Sequence, residues 1–382
     1  MTVEAVIAGA AESPYTRHPD PATTTTESLL ADAFLRVLAQ TGIERAQVDG
    51  LGVASFTLRP DHAVDLAWRL GLRPRWLMDG SNGGAAGIEM LQHAVRAIEA
   101  GDASTIVLLA GDRLLREEFG TLVGGYNRAT RDHLAPVPVD GPNTVFALLT
   151  QRHMAAHGLV PEDYGRLVVA QRGWAGRNPL AVYRDPLSLE EYLAAPVVAE
   201  PLRIYDCVPV VSGADALVVT SRDAAPRGVR IRAIRMLSNP DGQESDGLRT
   251  GLAEVRDELW AAAGTGPDDA DVAWVYDDYP AMVLVQLADL GFIPDADPAR
   301  FVRMRVVEER WPLNTSGGQL SAGQAGAAGG MHGLVEAVIQ LMGAGGERQV
   351  DAARLAVVTG YGMVLYRYGA CAAAAVLEAG AA

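Results

Sequence analysis

The chain has 382 residues, of which 49% are hydrophobic and 21% are charged, so it can bury one large core or two smaller ones. These proportions exclude a disordered, collagen-like or coiled-coil protein. The chain carries 32 Lys and Arg against 47 Asp and Glu, and the net charge of −15 argues against nucleic acid or an anionic membrane as partner. An anionic substrate would need a local group of basic side chains.

The cysteines and the amino terminus bear on location. Cys207 and Cys371 are far apart and form no CxxC pair, which excludes a thiol-based zinc site and argues against a disulfide framework. The first residues lack a basic region ahead of a long apolar run, and no stretch reaches the ~18 apolar residues that span a bilayer. We therefore expect a cytoplasmic protein with no membrane association, no metal and no bound cofactor.

Short β-branched runs alternate with longer segments of helical period, which is typical of α/β layering. The first part of the chain predicts strands at 3–9, 51–55, 75–78 and 105–109 and helices at 25–40, 61–70 and 84–99. Residues 113–200 are richer in Gly, Pro, Arg, Tyr and Trp, with helical pieces at 145–157 and 164–175, and indicate an inserted loop subdomain. The alternation then returns with strands at 214–220, 229–234, 272–276, 356–359 and 373–377 and helices at 248–263, 281–290 and 331–342.

One internal similarity links the two parts of the chain. The turns GGAAG at 83–87 and GAAGG at 326–330 each lead into a helix and then a strand. Such helix starts also recur by chance in Ala-rich chains, so the residues alone leave duplication open. The predicted domains are an N-terminal half at 1–227, which includes the loop subdomain, and a C-terminal half at 228–382.

The segment MDGSNGGAAG places Ser81 at a predicted strand-to-helix junction. Backbone amides at a helix start attract negative charge, and a hydroxyl there becomes a nucleophile only when a base removes its proton. The sequence offers no base close to Ser81, so this residue is either a nucleophile or a simple helix cap.

Two further polar segments are candidate ligand sites. NTSGGQLSAGQAG at 314–326 is predicted as a loop facing a ligand, with backbone donors and amide side chains. YDDY at 276–279 follows a predicted strand, where an open α/β sheet binds its ligands, so its phenols and carboxylates can do acid–base chemistry. The same carboxylates can equally cap the next helix, and Tyr279 can be a core residue.

In their order along the chain these segments resemble the thiolase superfamily, and most of all its sterol-carrier and lipid-transfer branch. The resemblance is carried by DGSNGGAAG, YDCVPVVSGADALVV, YDDYPAMVLVQLADLGF, NTSGGQLSAGQAGAAGGMHGLVEAVIQL and VVTGYGMV, and it covers nearly the whole chain. It implies an α/β thiolase fold, in which duplicated βαβαβαββ halves form a five-layer α-β-α-β-α sandwich with an inserted loop subdomain.

The resemblance also shows that the usual reacting groups are replaced. Ser81 stands where thiolases have the nucleophilic cysteine, and Gln324 stands where they have the activating histidine. The segment around Gly360 and Tyr361 contains no thiol where the acid–base cysteine would lie. Because a serine hydroxyl is far less acidic than a thiol, the usual acyl-transfer chemistry is in doubt.

The steroid side-chain-cleaving aldolases of this superfamily also lack the cysteine and use tyrosines for acid–base work. Tyr276 matches one of those tyrosines, whereas the other falls at Gln324. The resemblance therefore favours a retro-aldol or aldol reaction next to an acyl-CoA thioester, which is a substrate and not a bound cofactor. A retro-aldol needs a base and donors for the enolate. The predicted catalytic residues are Tyr276, Ser81, Gln324 and Tyr361, and the predicted substrate or oxyanion residues are Asn314, Gly83, Gly360, Tyr279 and His332.

Two other functions stay open. One is acyl transfer through Ser81, as in the related phloroglucinol acetyltransferases, and it would need a histidine within reach. Of the seven histidines, His332 is the best candidate and His133 the next. The other is a catalytically silent subunit that binds acyl chains or acts as a scaffold. The resemblance further implies a homodimer and a small zinc-ribbon/OB-fold partner protein.

Overall fold

The structure is a computed structural model that describes residues 3–124, 132, 141–240, 247–364 and 369–380. The chain begins with β1 (Ala5–Glu12), α1 (Thr26–Thr41), β2 (Gly50–Ala54), α2 (His62–Arg69), β3 (Trp76–Gly80), α3 (Ala86–Ala100) and β4 (Thr105–Asp112). An insertion follows, with α4 (Arg116–Gly124), α5 (Gly141–His157), α6 (Pro161–Ala175), α7 (Leu189–Ala194), β5 (Val197–Ala199) and β6 (Leu202–Arg203). No helix in these ranges is both long and apolar enough to cross a bilayer.

The chain returns to the main body through β7 (Gly213–Ser221), which is followed by β8 (Val229–Ser238), α8 (Leu252–Ala263), β9 (Val272–Trp274), α9 (Pro280–Asp289), α10 (Pro298–Phe301) and a π-helix (Val302–Glu308). It ends with α11 (Gly318–Ala322), α12 (Gly329–Leu341), β10 (Leu355–Val364) and β11 (Gly369–Glu378). Every predicted strand and helix is present, with shifted ends. The sequence did not predict the short elements α4, α7, α10, α11, β5, β6 and the π-helix.

The sheet shows the duplication. Nine strands are ordered β3-β2-β4-β7-β1-β8-β11-β10-β9. The order β2-β4-β7-β1 in the first half corresponds to β9-β10-β11-β8 in the second half. The second half has no full strand that corresponds to β3 among the described residues; at that place Leu313 makes a single parallel bridge to Ala273. The halves join through two residue pairs between β1 and β8. The predicted duplication of βαβαβαββ halves is therefore confirmed.

Alternate residues of each strand pack on different layers, because successive side chains point to opposite faces of a sheet. On β4, Val107 and Leu109 pack in an outer cluster with residues of α1 and α2. Ile106 and Leu108 pack in a central cluster with α3 and α12. On β10 and β11 the same alternation separates the central cluster from an outer cluster with α8 and α9. The predicted five-layer α-β-α-β-α arrangement is confirmed.

The starts of the two central helices lie in direct contact. A Cβ atom on Gly87 would lie 2.2 Å from the carbonyl oxygen of Gly330, so neither position has room for a larger residue. The turns before the two helices, Gly83–Ala85 and Gly326–Ala328, each begin with a glycine of positive φ, 54° and 57°. The predicted repeat thus brings the two glycine-rich turns together at the centre of the molecule.

Candidate active site

Tyr276 follows β9, and its backbone is fixed on several sides. The predicted strand 272–276 ends at Trp274, because the backbone of the next residue, Val275, bonds to the Asn314 side chain and not to a neighbouring strand. Asn314 Oδ1 accepts from the Val275 N–H at 2.8 Å, and its Nδ2 donates to the Val275 carbonyl at 3.0 Å. The Tyr276 N–H donates to Thr359 Oγ1 at 3.0 Å. The phenol is therefore presented by a rigid segment.

The structure brings Tyr276 and Gln324 together, although they are far apart in sequence. Gln324 Nε2 donates to the phenolic oxygen of Tyr276 at 3.1 Å and contacts Gln319 Oε1 at the same distance. Both side chains are half-buried. The Tyr276 ring lies over Gly84, where a Cβ atom would be 2.4 Å from it. An amide donor at a phenolic oxygen stabilises negative charge on that oxygen, which is what a base requires.

The other two predicted tyrosines are buried in packing contacts. Tyr361 is fully buried, and its hydroxyl oxygen accepts from the Gly369 N–H. The Tyr279 hydroxyl donates to Asn143 Oδ1 at 2.6 Å, and its ring stacks on Phe146 with centroids 4.2 Å apart. Burial raises the pKa of Tyr279 well above its usual value. Tyr276 is the half-buried phenol of the predicted set.

Asp277 is adjacent to Tyr276, but its carboxylate faces α11. It accepts from the Gln319 N–H at 2.8 Å and from Gln171 Nε2 at 3.2 Å. Burial raises its pKa to about 7. This carboxylate fixes the first turn of α11 and, through Gln319, the amide of Gln324, so it positions the site.

Ser81 lines a cavity that neither Tyr276 nor Gln324 borders. Its exposed side chain, together with Gly83, lines a space of about 170 Å³. His62 and Asp79 line the same space. The described residues thus place a histidine in the cavity of Ser81, which the sequence could not show.

A larger groove of about 590 Å³ adjoins the Ser81 cavity, because Phe56 and Arg59 line both. Arg113 lines the groove as well, so it contains the local basic group that an anionic substrate needs against the net charge. The buried carboxylate of Asp112 fixes the loop beside the groove, accepting from the Phe56 N–H at 2.8 Å and from the Ala327 N–H at 2.7 Å.

The remaining predicted residues lie around these contacts. His332 is buried, and its Nε2 lies 2.8 Å from Ser316 Oγ. Burial lowers the pKa of His332 to about 4, so the ring is neutral at pH 7. His332, Asn314 and Tyr276 line a cavity of about 10 Å³, which has room for about one water molecule. Gly360 packs its backbone against Gly84. His133 lies outside the described residues.

Several groups at the site were missed by the sequence analysis: Arg59, Arg113, Asp112, Gln319 and Thr359. Asp112 could have been found, because it is the one charged residue of the buried strand β4. A charge at such a position must be hydrogen-bonded or paired. The other residues have no local signal, since their roles come from contacts between distant segments.

Comparison with known proteins identifies relatives over almost the whole chain. Residues 240–377 match the family "Thiolase C-terminal domain-like". The 17-hydroxy-3-oxo-4-pregnene-20-carboxyl-CoA lyase of Mycobacterium tuberculosis is 32% identical, over 82% of this chain and 86% of the lyase. A steroid side-chain-cleaving aldolase of Thermomonospora curvata is 30% identical, over 88% of this chain and 90% of its own.

A solved structure extends this likeness to three dimensions. The Ltp2-ChsH2(DUF35) aldolase superposes with a TM-score of 0.86 at 27% identity, covering 99% of this chain and 98% of that chain. The predicted superfamily and fold are confirmed, and so is the predicted kind of enzyme, since the relatives include a lyase and an aldolase. The chain belongs to the thiolase superfamily, in its sterol-carrier branch.

Proposed function

We propose that this enzyme cleaves the carbon–carbon bond of a β-hydroxyacyl-CoA by a retro-aldol reaction, with Tyr276 as the base. The observation that carries the proposal is the amide of Gln324 donating to the phenolic oxygen of Tyr276 at 3.1 Å. The relatives named as a pregnene-carboxyl-CoA lyase and a steroid side-chain-cleaving aldolase support this reaction, with a steroid side chain as the acyl group.

The reaction places defined demands on the site. The Tyr276 phenolate takes the proton of the β-hydroxyl, whose oxygen electrons form a carbonyl as the bond between the α and β carbons breaks. That bond's electron pair passes to the thioester as an enolate. A proton returned to the α carbon then gives the shortened acyl-CoA. The amide of Gln324 stabilises the phenolate before the proton moves, and the backbone amides of Gly83 and Gly360 remain the predicted donors for the enolate oxygen.

The coenzyme A part of the substrate fits the groove that adjoins the Ser81 cavity. Its phosphates are repelled by the net charge of −15, so they need a basic region. Arg59 and Arg113 supply it in a groove of about 590 Å³. Guanidinium groups bind phosphate through paired N–H donors, so we propose that this groove holds the coenzyme.

The proposal is tested by paired variants assayed on a β-hydroxyacyl-CoA, alone and with a zinc-ribbon/OB-fold partner. Tyr276→Phe removes the base, and kcat should fall at least ~10²-fold while acyl-CoA binding is kept. Arg59→Ala should give the opposite pattern, a raised KM with nearly unchanged kcat. Wild-type rates in Tyr276→Phe would exclude this base, and no turnover by wild type under either condition would favour a silent subunit.

Acyl transfer through Ser81 is the second candidate, because His62 lines the same cavity. In that case Ser81 forms an ester with the acyl group and coenzyme A leaves as the thiol. Mass spectrometry after incubation with acyl-CoA separates the two functions. An adduct on Ser81 that is absent from Ser81→Ala supports transfer, whereas an unmodified protein that still cleaves its substrate supports the aldolase.

We also propose a small partner protein and a homodimer. The Ltp2-ChsH2(DUF35) aldolase is by its name a two-component assembly, which supports the partner. The homodimer is supported by β3, an edge strand whose outer backbone groups pair with no other described strand. Beside it, Trp68 is 76% exposed and Val64 is 60% exposed, on the neighbouring helix α2.

The free thiols of both cysteines fit the predicted cytoplasmic location.

The dimer is tested at that edge. Trp68→Glu puts a charge into the apolar surface beside β3, so light scattering should show a monomer where wild type is a dimer. Leu148→Glu is the matched control, because Leu148 is 60% exposed on α5, in the insertion. A monomeric wild type at micromolar concentration would contradict the proposed dimer.

A further inference from the structure

Three side chains with metal-ligating atoms converge between the two halves, apart from the Tyr276–Gln324 pair. They are Glu12 at the end of β1, Asp215 on β7 and His332 in the first turn of α12. One ligand atom from each lies within 4.8 Å of the others. Glu12 and Asp215 are direct cross-strand neighbours in the β1–β7 ladder, so the sheet itself holds the two carboxylates together.

These carboxylates have no positive partner among the described contacts. Asp215 is fully buried; its Oδ1 accepts from the Tyr15 hydroxyl at 2.8 Å, and its Oδ2 is buried without a hydrogen bond. The guanidinium of Arg348, which acts electrostatically on Glu12, is itself bound to Glu336 at 2.8 Å. A fully buried acid beside a half-buried one is costly without compensation, so the pair holds either protons or a cation.

The histidine is oriented for a ligand. Its Nε2 lies 2.8 Å from Ser316 Oγ, and its Nδ1 lies 3.8 Å from Glu12 Oε2. Nδ1 also lies 3.4 Å from the Tyr15 hydroxyl, which donates to Asp215. In the tautomer whose Nε2–H donates to Ser316, the lone pair of Nδ1 faces the Glu12 carboxylate oxygen, and these two acceptors need a proton or a cation between them. A histidine that binds a metal through one ring nitrogen is usually held in place by a hydrogen bond from its other ring nitrogen.

We propose that Glu12, Asp215 and His332 bind one divalent transition-metal ion, Zn²⁺ or Mn²⁺. Two carboxylates neutralise a divalent charge, and a mixed oxygen and imidazole set suits these ions. Tetrahedral ligands about 2.1 Å from a metal are about 3.4 Å apart. The Glu12 and His332 atoms are 3.8 Å apart and all three ligand atoms lie within 4.8 Å of one another, so binding an ion would draw them together by up to about 1.4 Å. The ion would join two strands of the first half to a helix of the second, a structural role beyond the proposed reaction.

The test measures metal content and stability. Protein purified without chelator, or stripped with EDTA and reloaded with Zn²⁺ or Mn²⁺, should contain about one ion per chain by plasma mass spectrometry. The loaded form should melt at a higher temperature than the stripped form, since a ligand of the native state stabilises it. Glu12→Gln and Asp215→Asn should each lower the metal content at least tenfold and abolish the temperature difference.

Asp206→Asn is the matched control, because Asp206 is also buried but is bound to Tyr192 and the Arg203 N–H. It should keep the full metal content even if it lowers the melting temperature. Metal absent from both purified and reloaded wild type, or metal content equal in wild type and Asp215→Asn, would overturn the site and leave protons on the carboxyls. Because the ligands must be deprotonated, metal binding should tighten as pH rises.

Discussion

Gln324 is the side chain on which the phenol of Tyr276 depends. Its amide is held by the contact with Gln319, whose backbone N–H is in turn bound by Asp277. An amide differs from the histidine of other thiolases in that it donates a hydrogen bond but cannot take up a proton usefully. At this position it can stabilise a charged neighbour but cannot act as the base, which agrees with the proposed role of Tyr276 in proton removal.

We expect Gln324→Leu to lower kcat on the order of 10²-fold, because it removes one donor from a charged oxygen. KM should stay within about twofold, since the groove around Arg59 is untouched. Gln324→Glu should be slower still above pH 7, because a carboxylate repels the phenolate. Steady-state kinetics check this, with Gln151→Leu, an exposed glutamine bound to the Glu200 carbonyl, as control. A kcat that does not change in Gln324→Leu would contradict the role.

At this scale the sequence was a partial guide. It selected Tyr276 and Gln324 by motif, and the structure places them 3.1 Å apart. It could not place Ser81, because the position of a turn residue depends on how the turn packs against strands that are distant in sequence. The backbone of Gly84 lies against the Tyr361 carbonyl and the Tyr276 ring, and Ser81 lines a cavity on which neither tyrosine borders.

At the scale of elements, the turn before α3 is tightly packed against the site. A Cβ atom on Gly84 would lie 2.1 Å from the Tyr361 carbonyl oxygen, and one on Gly360 would lie 2.7 Å from the Gly84 carbonyl oxygen. The turn is thus locked between β10 and the tyrosine. Because the obstructing atom is backbone in both cases, no side-chain rotation can relieve an added methyl group.

Gly84→Ala should therefore destabilise the protein by at least about 2 kcal/mol and abolish turnover, because an added methyl group in a packed core displaces its neighbours. Gly173→Ala is the matched control on the exposed side of α6, where nothing lies within 4 Å of the added Cβ. It should stabilise the protein by about 0.5–1 kcal/mol, since alanine favours the helix. Urea unfolding measures both, and equal stability of Gly84→Ala and wild type would refute the packing argument.

The elements themselves were largely predictable, and the exceptions have physical causes. The periodicity of apolar residues marked every main strand and helix, because each buries one face. The strand predicted at 272–276 ended early, since the Asn314 side chain replaces a neighbouring strand. The short helix α11 depends on Asp277, which accepts from the N–H of its second residue, Gln319, from 42 positions away in sequence. Local pattern contains no information about such a partner.

At the scale of the whole molecule, burial of acids opposes ionisation. Burial raises the pKa of Asp289 to about 7 and that of Asp206 to about 6. The net charge of −15 acts in the same direction, because further ionisation increases the repulsion within the compact state. The layered fold thus keeps several carboxyls in an environment that favours the neutral form.

The consequence is a stability that falls as pH rises. Between pH 4 and 7 the unfolded chain has released the proton of Asp289 while the folded chain keeps it, so the folded form binds more protons and loses stability with rising pH. In the wild type, the Thr250 N–H and hydroxyl both donate to the Asp289 carboxyl group. The amide of Asp289→Asn keeps an oxygen that can accept these bonds, but the amide cannot titrate. The free energy of unfolding of the variant should therefore gain on wild type by at most about 1.4 kcal/mol per pH unit across that window. Asp32→Asn is the control, because Asp32 is an exposed partner of Arg36, and this variant should show no such gain. Urea unfolding from pH 4 to 8 measures the free energies. If the plots of unfolding free energy against pH are parallel for wild type and Asp289→Asn, Asp289 is ionised in the folded protein.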